Sequence, residues 1–516
     1  MLKKSPLLKF SNNALRSHLC QNAWQEGLDV FFTQNVPFSG RNGPSYAKKL
    51  VSIFIPLATP IDGPLHVIEY GAGLGFLGRQ FLDHLKIQSP KLYDRTTLHL
   101  TEYSPVMIAQ WERATYFKPH KDHMCFTQLD MTHFDLPVKA LLSYSVYGLD
   151  SLPTRHIEVR NNQIFEVLIQ TTLKKNATLI NITQEPYPAL TVSEIESVLT
   201  DTNSLKARRL SPQIVTQIEE TFHPAPIETL PHWSKEEKQD LSAFVKSLKL
   251  THTVQFNFIP KLKNHLQNVL KTLHPQGLHL VSDFGMASTV TETPYTHLTA
   301  TYGTTQFYPV CFLHLNFLAD TLKTCHSQTH RALDQTQEWA FSRHPLPSSI
   351  FEAPDSDEDP FMAPISQVLD TMETLPPFEE DYLKKCHALI QSLTPDQQCD
   401  YYLLKKASLQ FFEDGHYAEA FQLAEKMVDL YEGLAIDGMM VAGWIYQRDK
   451  RYEKAEACFN AVLHHCPTFA MAYASKAVSC LAQKQNSKAK ILLKNAILYS
   501  QPRDMTLFMI TLNKLG

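Results

Sequence analysis

Short apolar runs alternate with helix-spaced segments over the first part of the chain. The run HVIEY from His66 suits a buried strand, and after three glycines the apolar residues recur at helical spacing through Phe81. Similar short apolar runs begin at Thr97 (TLHLTEY), Met124 (MCFTQL) and Ala140 (ALLSYSV). Strands that alternate with helices predict a parallel sheet with helices packed on its faces.

Three further segments extend this pattern. Residues 45–57 have their apolar positions on one helix face and a proline near the end, so we expect a helix packed on the sheet. Residues 155–159 and 163–168 alternate on either side of a turn with two asparagines, which predicts a hairpin packed against the sheet's edge. Residues 185–275 are more polar and helix-spaced, which predicts a helical insertion that helps to select a substrate.

The last third of the chain has a longer period. Residues 341–379 carry many prolines around the acidic run 355–359, a composition typical of a linker. Beyond them Tyr417 aligns with Tyr452, and Ala420 with Ala455, at a shift of 35 residues. Units of this length stack into a solenoid whose concave face commonly binds a protein, although a purely stabilising role is the alternative.

Composition limits the classes of protein that need to be considered. A chain of 516 residues with 44% hydrophobic and 19% charged residues predicts two or three folded domains. The net charge of −4 gives no basic field for nucleic acid, and no apolar run approaches the ~20 residues of a membrane span. Nine scattered cysteines without a C-x-x-C pair favour free thiols in the cytoplasm, and no metal-ligand spacing is present.

The first candidate site is the glycine-rich turn that follows the first strand. Gly71, Gly73 and Gly75, with Ala72 between them, let the backbone turn sharply beside a ligand. Gly73-x-Gly75-x-x-Gly78 also fits the dinucleotide fingerprint, so a nicotinamide-dependent oxidoreductase is one hypothesis. A glycine-rich corner without a ligand is the structural alternative.

Acidic residues stand at or just after the ends of the predicted strands. Glu69 would repel a pyrophosphate but help to position the cationic methionine end of S-adenosylmethionine, which favours that cofactor. Glu102, roughly 20 residues past the turn, is predicted to accept hydrogen bonds from ribose hydroxyls, or else to be a solvated loop acid. Asp130 is predicted either to face adenine or to form an Asx turn. Asp150 is predicted to orient the methyl acceptor, or to be a turn residue.

These motifs occur together and in order in one known family. The segments VIEYGAGLGFLGRQFLDHL, TEYSPVMIAQWERA and LDSLPTRHIEVRNNQIFEV resemble the MidA-like class I methyltransferases, which include a mitochondrial arginine methyltransferase acting in complex I assembly. The matching residues are Glu69, Gly71, Gly73, Gly75, Glu102, Ser104, Gln110, Asp150, Leu152 and Pro153. GLHLVSDFG, with Asp283 and Gly285, is a weaker fourth match, so the resemblance covers about residues 60–320.

The resemblance implies a Rossmann-like fold, S-adenosylmethionine as cofactor and a protein substrate, with arginine as the acceptor by analogy. Two departures are visible. The family carries Asn-Glu before its Asp-Ala-Leu-Pro segment, where this chain has Val146 and Tyr147. Its Gly-Asp-Phe-x-Thr segment upstream of the glycine turn is not reproduced in VPFSGRNGPS. An inactive scaffold that mediates protein–protein interaction is therefore the alternative hypothesis.

The C-terminal repeats resemble a second known pattern. Gly443, Tyr446, Phe459 and Pro467 occupy positions around Ala455 that look like the tetratricopeptide repeat. We therefore expect an α/β, Rossmann-like class I methyltransferase domain with a helical insertion, followed by an all-α tetratricopeptide-like solenoid that docks a protein. The expected boundaries are a helical segment at 1–60, the methyltransferase domain at 61–340 with its insertion at about 185–275, the linker at 341–379 and the solenoid at 380–516.

Overall fold

The structure is a computed structural model that describes most of the chain. It describes residues 9–10, 15–33, 36, 40–174, 179–182, 187–191, 194–195, 205–286, 290–291, 295–329, 336–346, 350–351, 359–500 and 502–515. Most of the predicted acidic run, residues 355–358, and parts of the predicted insertion lie outside these ranges.

An eight-stranded central sheet organises the first two thirds of the chain. The strand order is Cys325–Gln328, Thr336–Ser342, Leu273–Met286, Ala140–Val146, Leu65–Tyr70, Thr96–Glu102 and Met124–Gln128, with Val310–Cys311 beside Leu273–Met286. The five strands from Leu273–Met286 to Met124–Gln128 pair in parallel, and Thr336–Ser342 pairs antiparallel with both neighbours. Chain order reverses at Leu65–Tyr70, which creates the kind of crevice where α/β sheets bind ligands.

Helices cover both faces of the central sheet, as the alternation of strands and helices predicts. Pro44–Ala58 and Phe76–Gln88 pack on the face that includes Val67, and Pro44–Ala58 confirms the helix expected at 45–57. Leu262–Thr272 and Phe312–Thr321 pack on the opposite face. The remaining helices in this part are Leu15–Trp24, Asp29–Thr33, Pro90–Tyr93, Pro105–Arg113, Leu205–Thr216 and Lys235–Ser247, with the 3-10 helices Gly40–Asn42, Thr115–His123, Leu149–Ser151, Ile227–Thr229 and Tyr295–Leu298.

The predicted hairpin forms, but it does not pack at the edge of the central sheet. Its strands Arg155–Arg160 and Gln163–Leu173 pair antiparallel around Asn161 and Asn162, whose φ angles of 49° and 60° are left-handed. They belong to a separate six-stranded sheet, here called the side sheet. Its other strands are Lys9–Phe10, Ile218–Pro226, Val254–Phe258 and Val290–Thr291, and a small two-stranded sheet pairs Ala300–Tyr302 with Thr305–Phe307.

The predicted insertion at about 185–275 therefore contains strands as well as helices. Strands Ile218–Pro226 and Val254–Phe258 lie within it, and both pair with the hairpin. Val254–Phe258 has the sequence VQFNF, in which apolar and polar residues alternate, and all five residues are buried. This alternation is typical of a strand, and the helix spacing of the neighbouring segments outweighed it in the prediction.

The C-terminal region is all helical in its described residues. Its helices are Ala363–Thr374, Tyr382–Ser392, Tyr401–Glu413, Tyr417–Tyr431, Ile436–Arg448, Tyr452–His465, Ala470–Ala482, Asn486–Tyr499 and Pro502–Asn513, with the 3-10 helices Gln397–Cys399 and Glu432–Leu434. Tyr417 and Tyr452, which align in the sequence repeat, each begin a helix. A Cβ added to Gly443 would lie 2.5 Å from Phe459, so these helices cross closely. The tetratricopeptide assignment itself stays a prediction.

One helix replaces part of the predicted linker. Ala363–Thr374 buries Ile365, Val368, Leu369 and Met372, which share one helix face, and these residues pack with the helices that follow. The i, i+3, i+4, i+7 spacing of these residues was visible in the sequence. The linker was predicted from the proline content and not from this spacing. A proline in the first helical turn is nevertheless well tolerated.

An aromatic cluster joins the C-terminal helices to the helix that follows the glycine turn. The Phe76 ring centroid lies 4.8 Å from that of Tyr431 and 5.3 Å from that of Tyr401. Tyr116 stacks on Tyr431 at 6.1 Å, and all four rings are buried. The C-terminal helices therefore share a core with the central sheet. No helix in the described part of the chain combines the length and apolar content needed to cross a membrane.

Replacing Tyr431 tests the contribution of this cluster to stability. Tyr431→Ala should lower the free energy of unfolding by about 3–5 kcal/mol, because it leaves a cavity among buried rings. Tyr431→Phe should cost only about 1 kcal/mol, since it loses the hydroxyl hydrogen bond to the Cys399 carbonyl oxygen. Urea denaturation followed by circular dichroism measures both. Phe378→Ala, at a 92% exposed ring, is the control and should change stability by less than about 0.5 kcal/mol.

Candidate active site

A cavity of about 990 Å³ opens at the carboxyl ends of the parallel strands, next to the point where chain order reverses. Its volume lies at the upper end of the range for small-molecule sites, which is about 300–1,000 Å³. Six of the eight predicted site residues line it, namely Gly71, Ala72, Gly73, Glu102, Asp130 and Asp150. Glu69 and Gly75 are not part of its lining.

The glycine turn has the backbone conformation that its sequence predicts. Gly71, Gly73 and Gly75 have φ angles of 67°, 55° and 71°, in the left-handed region that side chains disfavour. A Cβ on Gly73 would also come within 2.9 Å of the Phe31 ring, which lines the same cavity. The turn is thus confined between the sheet and an N-terminal helix.

Glu102 ends its strand beside this turn and fixes it. Its Oε2 accepts a hydrogen bond from the Gly73 N–H at 3.1 Å, and its Oε1 accepts one from the Tyr103 N–H at 2.8 Å. Burial raises the pKa of Glu102, while these N–H groups act in the opposite direction. A carboxylate has further lone pairs, so Glu102 can hold the turn and still accept from a ligand. Ribose binding by Glu102 stays a prediction.

Glu69 lies outside the cavity, which corrects the orientation expected from the sequence. Its Oε2 accepts a hydrogen bond from the Tyr144 hydroxyl at 3.2 Å and lies under the turn helix, where a Cβ on Gly78 would approach it to 2.5 Å. Burial raises the pKa of Glu69 to about 8, so the carboxyl is largely neutral at pH 7. The charge of Glu69 therefore gives no basis for distinguishing a sulfonium cofactor from a pyrophosphate cofactor.

Asp130 lines the cavity and also forms the turn that was its alternative interpretation. Its Oδ1 accepts hydrogen bonds from the Thr132 N–H at 2.8 Å and the Thr132 hydroxyl at 2.7 Å. This is an Asx-type arrangement that holds the loop after the third parallel strand. Contact between Asp130 and adenine stays a prediction.

Asp150 is paired with a second carboxyl that the sequence suggested only weakly. Both Asp150 and Asp283 are buried, and the Asp283 carboxyl lies beside that of Asp150. Asp283 accepts from the Leu149 N–H and the Phe284 N–H, each at 2.8 Å. Burial first and then repulsion by Asp283 raise the pKa of Asp150 well above its usual range, and burial raises the pKa of Asp283 to about 7. Two such carboxyls together hold a proton at neutral pH.

Residues far from the glycine turn complete the cavity. Arg155 of the side sheet pairs with Glu237 at 3.2 Å, and its guanidinium lies 4.1 Å from the centroid of the Trp233 ring. Glu237 also forms a capping box with Ser234 at the start of its helix. Trp24 from the N-terminal helix lines the cavity too. No short motif marks these residues, because distant segments bring them together.

Val146 and Tyr147 both line the cavity, where the resembling family has Asn and Glu. Tyr147 has a φ angle of 52°, which is strained for a residue with a side chain. Its hydroxyl lies 2.8 Å from the Thr336 hydroxyl. The departure from the family thus falls at the site itself and changes which polar groups face a substrate.

The cavity has features of a nucleoside-binding site. The glycine turn permits close approach of the backbone, and Glu102 stands where ribose hydroxyls are bound in α/β sheets. In the described part of the chain no group of three His, Cys, Asp or Glu side chains is placed to hold a metal ion. Together the fold and site define a Rossmann-like nucleoside-binding protein.

Comparison with known proteins identifies the family. A family described as "Putative S-adenosyl-L-methionine-dependent methyltransferase" matches residues 47–308, about half of the chain. The chain therefore belongs to this family of S-adenosylmethionine-dependent methyltransferases, which displaces the oxidoreductase hypothesis. No curated protein matches the chain.

Several solved structures resemble the chain at low identity. A "likely methyl transferase from Burkholderia thailandensis bound to S-adenosyl-homocysteine" is 12% identical, with 70% of this chain and 76% of that chain covered and a TM-score of 0.35. A native structure from the same organism is 10% identical, with coverages of 73% and 83% and a TM-score of 0.38. The glycopeptide N-methyltransferase MtfA with sinefungin is 11% identical, with coverages of 57% and 85% and a TM-score of 0.26. Because these TM-scores are low, the family match carries the assignment.

The position of Glu102 predicts a loss of cofactor affinity on its removal. Glu102→Ala should weaken binding of S-adenosylhomocysteine about ten- to hundredfold, because a charged acceptor for ribose hydroxyls and for the Gly73 N–H is lost. Isothermal titration calorimetry measures the affinity. Glu69→Gln is the matched control and should change it by less than about twofold, since Glu69 lies outside the cavity. Equal affinities for wild type and a folded Glu102→Ala would exclude the proposed role.

The buried state of Glu69 predicts a pH dependence of stability. Its pKa is about 8 in the folded protein against an ordinary 4.5, so the folded state binds the proton more tightly. The free energy of unfolding should therefore fall as the pH rises between these two values. The free energy of unfolding of Glu69→Gln should fall less over this pH range. The difference from wild type should be on the order of 1 kcal/mol for each unit of pKa shift. Urea denaturation at several pH values measures both proteins, and parallel curves would contradict the prediction.

Proposed function

We propose that the protein transfers a methyl group from S-adenosylmethionine to a nitrogen of a protein substrate. The MidA-like resemblance favours arginine as that acceptor. The observation that carries the proposal is the single cavity lined both by the glycine turn and by the side sheet and inserted segment. A cofactor held at the turn would then lie in the same space as a substrate side chain that enters past Arg155 and Glu237.

The reaction asks mainly for alignment of two groups and exclusion of water. When bound, the cofactor supplies an activated methyl group on sulfur. Glu102 would hold the ribose hydroxyls and at the same time fix the turn through the Gly73 N–H. Asp150, buried at the cavity wall, would face the acceptor. Trp24 and Phe31 cover the turn from the N-terminal helices, which limits access of water.

We further propose that the C-terminal helices recruit the protein partner. Support comes from large apolar side chains exposed on the last three helices, namely Val478, Ile491, Leu507 and Ile510. The same region is basic although the chain as a whole is acidic. From residue 470 onward the charged residues are Lys476, Lys484, Lys488, Lys490, Lys494, Arg503, Asp504 and Lys514. This combination favours a partner segment that carries acidic and apolar residues.

The scaffold hypothesis remains the second candidate, on the observation that Val146 and Tyr147 stand at the cavity. These side chains offer neither a carboxylate nor an amide to a substrate. Under this hypothesis the cavity would bind no cofactor, or would bind it without transferring the methyl group. The two candidates therefore differ in whether the protein transfers the methyl group, which can be measured.

A transfer assay separates these candidates. The full chain is incubated with S-adenosylmethionine that carries a radioactive methyl group, together with a protein extract from cells that lack this protein. We expect label in a small number of proteins, at arginine when the products are analysed by mass spectrometry. Glu102→Ala should lower the labelling at limiting cofactor, because it weakens cofactor binding. Calorimetric binding of S-adenosylhomocysteine without any labelling would favour the scaffold.

A further inference from the structure

The carboxyl groups of Asp150 and Asp283 form a built unit at the cavity wall. The strand Leu273–Met286 pairs with Ala140–Val146 as far as Ser282, which lies opposite Val146. Asp283 follows directly. Asp150 lies in the 3-10 helix that follows Ala140–Val146. Two neighbouring parallel strands thus bring the two carboxyls together at the carboxyl edge of the sheet.

The two members of the pair have different surroundings. Asp283 is fully buried and accepts hydrogen bonds from two backbone N–H groups, which favour its ionised form. Asp150 is 3% exposed and lines the cavity, and its Oδ1 has no hydrogen-bond partner among the residues that the structure describes. A buried carboxyl oxygen without a partner is costly unless a ligand completes it. Asp150 is therefore the member that can meet a substrate.

The remaining group near Asp150 is not charged. Cys20 lies close enough to Asp150 to be influenced by its charge, and burial raises the pKa of the Cys20 thiol to about 12. The Cys20 Sγ accepts a hydrogen bond from the Gln306 N–H at 3.0 Å, so the thiol is held in place. At neutral pH the carboxyl pair, rather than this thiol, can therefore exchange a proton at the cavity wall.

We propose that Asp150 and Asp283 act as one proton-sharing pair that receives the proton of the methyl acceptor, with Asp150 in contact with the acceptor and Asp283 as its positioning residue. This rests on the proposed methyl transfer. The acceptor nitrogen forms a bond to the methyl carbon while the carbon–sulfur bond breaks and its electron pair stays on sulfur. The proton that the nitrogen loses passes to Asp150 Oδ1, and the proton that Asp150 held shifts to Asp283. Both carboxyls are then neutral, and one proton returns to water after product release.

The shared proton has a spectroscopic signature that does not depend on activity. Infrared difference spectra at neutral pH report protonated carboxyls through their C=O stretch. Asp150→Asn should remove the band of one protonated carboxyl. Asp283→Asn should keep this band but shift its frequency, because burial still favours protonated Asp150 while the carboxyl that shares its proton is gone. The double variant should remove no more than Asp150→Asn alone. Asp62→Asn, at an exposed carboxylate, should leave the band unchanged.

Two outcomes of these spectra would overturn the pair. The first is that Asp150→Asn removes a carboxylate band instead of a protonated one. The second is that Asp283→Asn leaves the frequency of the Asp150 band unchanged. Asp150→Asn keeps the shape of the side chain and a hydrogen-bond donor toward Asp283, so it should fold. Its spectrum therefore tests the pair even if Asp283→Asn does not fold. Circular dichroism and calorimetric binding of S-adenosylhomocysteine check the folding of each variant.

The transfer assay with the labelled protein extract tests the proton transfer itself. Asp150→Asn should lower kcat by about a hundredfold or more while the KM for S-adenosylmethionine stays within about twofold. Asp283→Asn should move the acidic limb of the kcat profile to higher pH, because ionised Asp150 loses the shared proton that stabilises it, which a merely structural role would not do. Unchanged kcat in Asp150→Asn overturns the proposal. A wild type that transfers no methyl group overturns the proposed function instead, and the infrared spectra still decide whether the pair shares a proton.

Discussion

Parallel strands must all end at the same edge of a sheet, and this constraint governs the candidate site. Loops leave that edge with unpaired backbone N–H groups, which need acceptors. Strand-end acids supply them, since Glu102 accepts from Gly73 and Asp283 accepts from Leu149. The same carboxyls that shape the loops therefore stand beside any ligand bound there. The same side chain can therefore have a structural role and a ligand-binding role. Some of its lone pairs bind the loop, and others remain open toward the cavity.

This double role explains how far the sequence could predict the site. The glycine turn and the position of Glu102 follow from local pattern, because turn geometry demands glycine and the strand ends set the spacing. The direction of Glu69 does not follow. Its strand, LHVIEY, is almost wholly buried and does not alternate strictly between polar and apolar residues, so the pattern does not show which face a given side chain takes. Its Tyr144 partner lies on a different strand, and nothing local links the two residues.

The fold shows the same division between local and distant information. Helix Pro44–Ala58 and the asparagine turn of the hairpin were predictable from their own residues. The assignment of that hairpin to the side sheet was not, because its partner strand Val254–Phe258 lies about a hundred residues away and no local pattern links the two. Trp24 and Arg155 likewise reach the cavity only through tertiary packing. Residues with no motif therefore make up much of the cavity wall.

The aromatic cluster gives the C-terminal helices a role in the site regardless of what they bind. Phe76 directly follows Gly75 and lines the cavity, and its ring packs on Tyr401 and Tyr431. Packed cores adjust in discrete arrangements rather than continuously, so a shift of the helices that carry these tyrosines would move Phe76 as well. Docking and stabilisation, which are alternatives when the repeats are considered alone, are compatible here. A partner held by the last helices would act on a structure that already supports the cofactor turn.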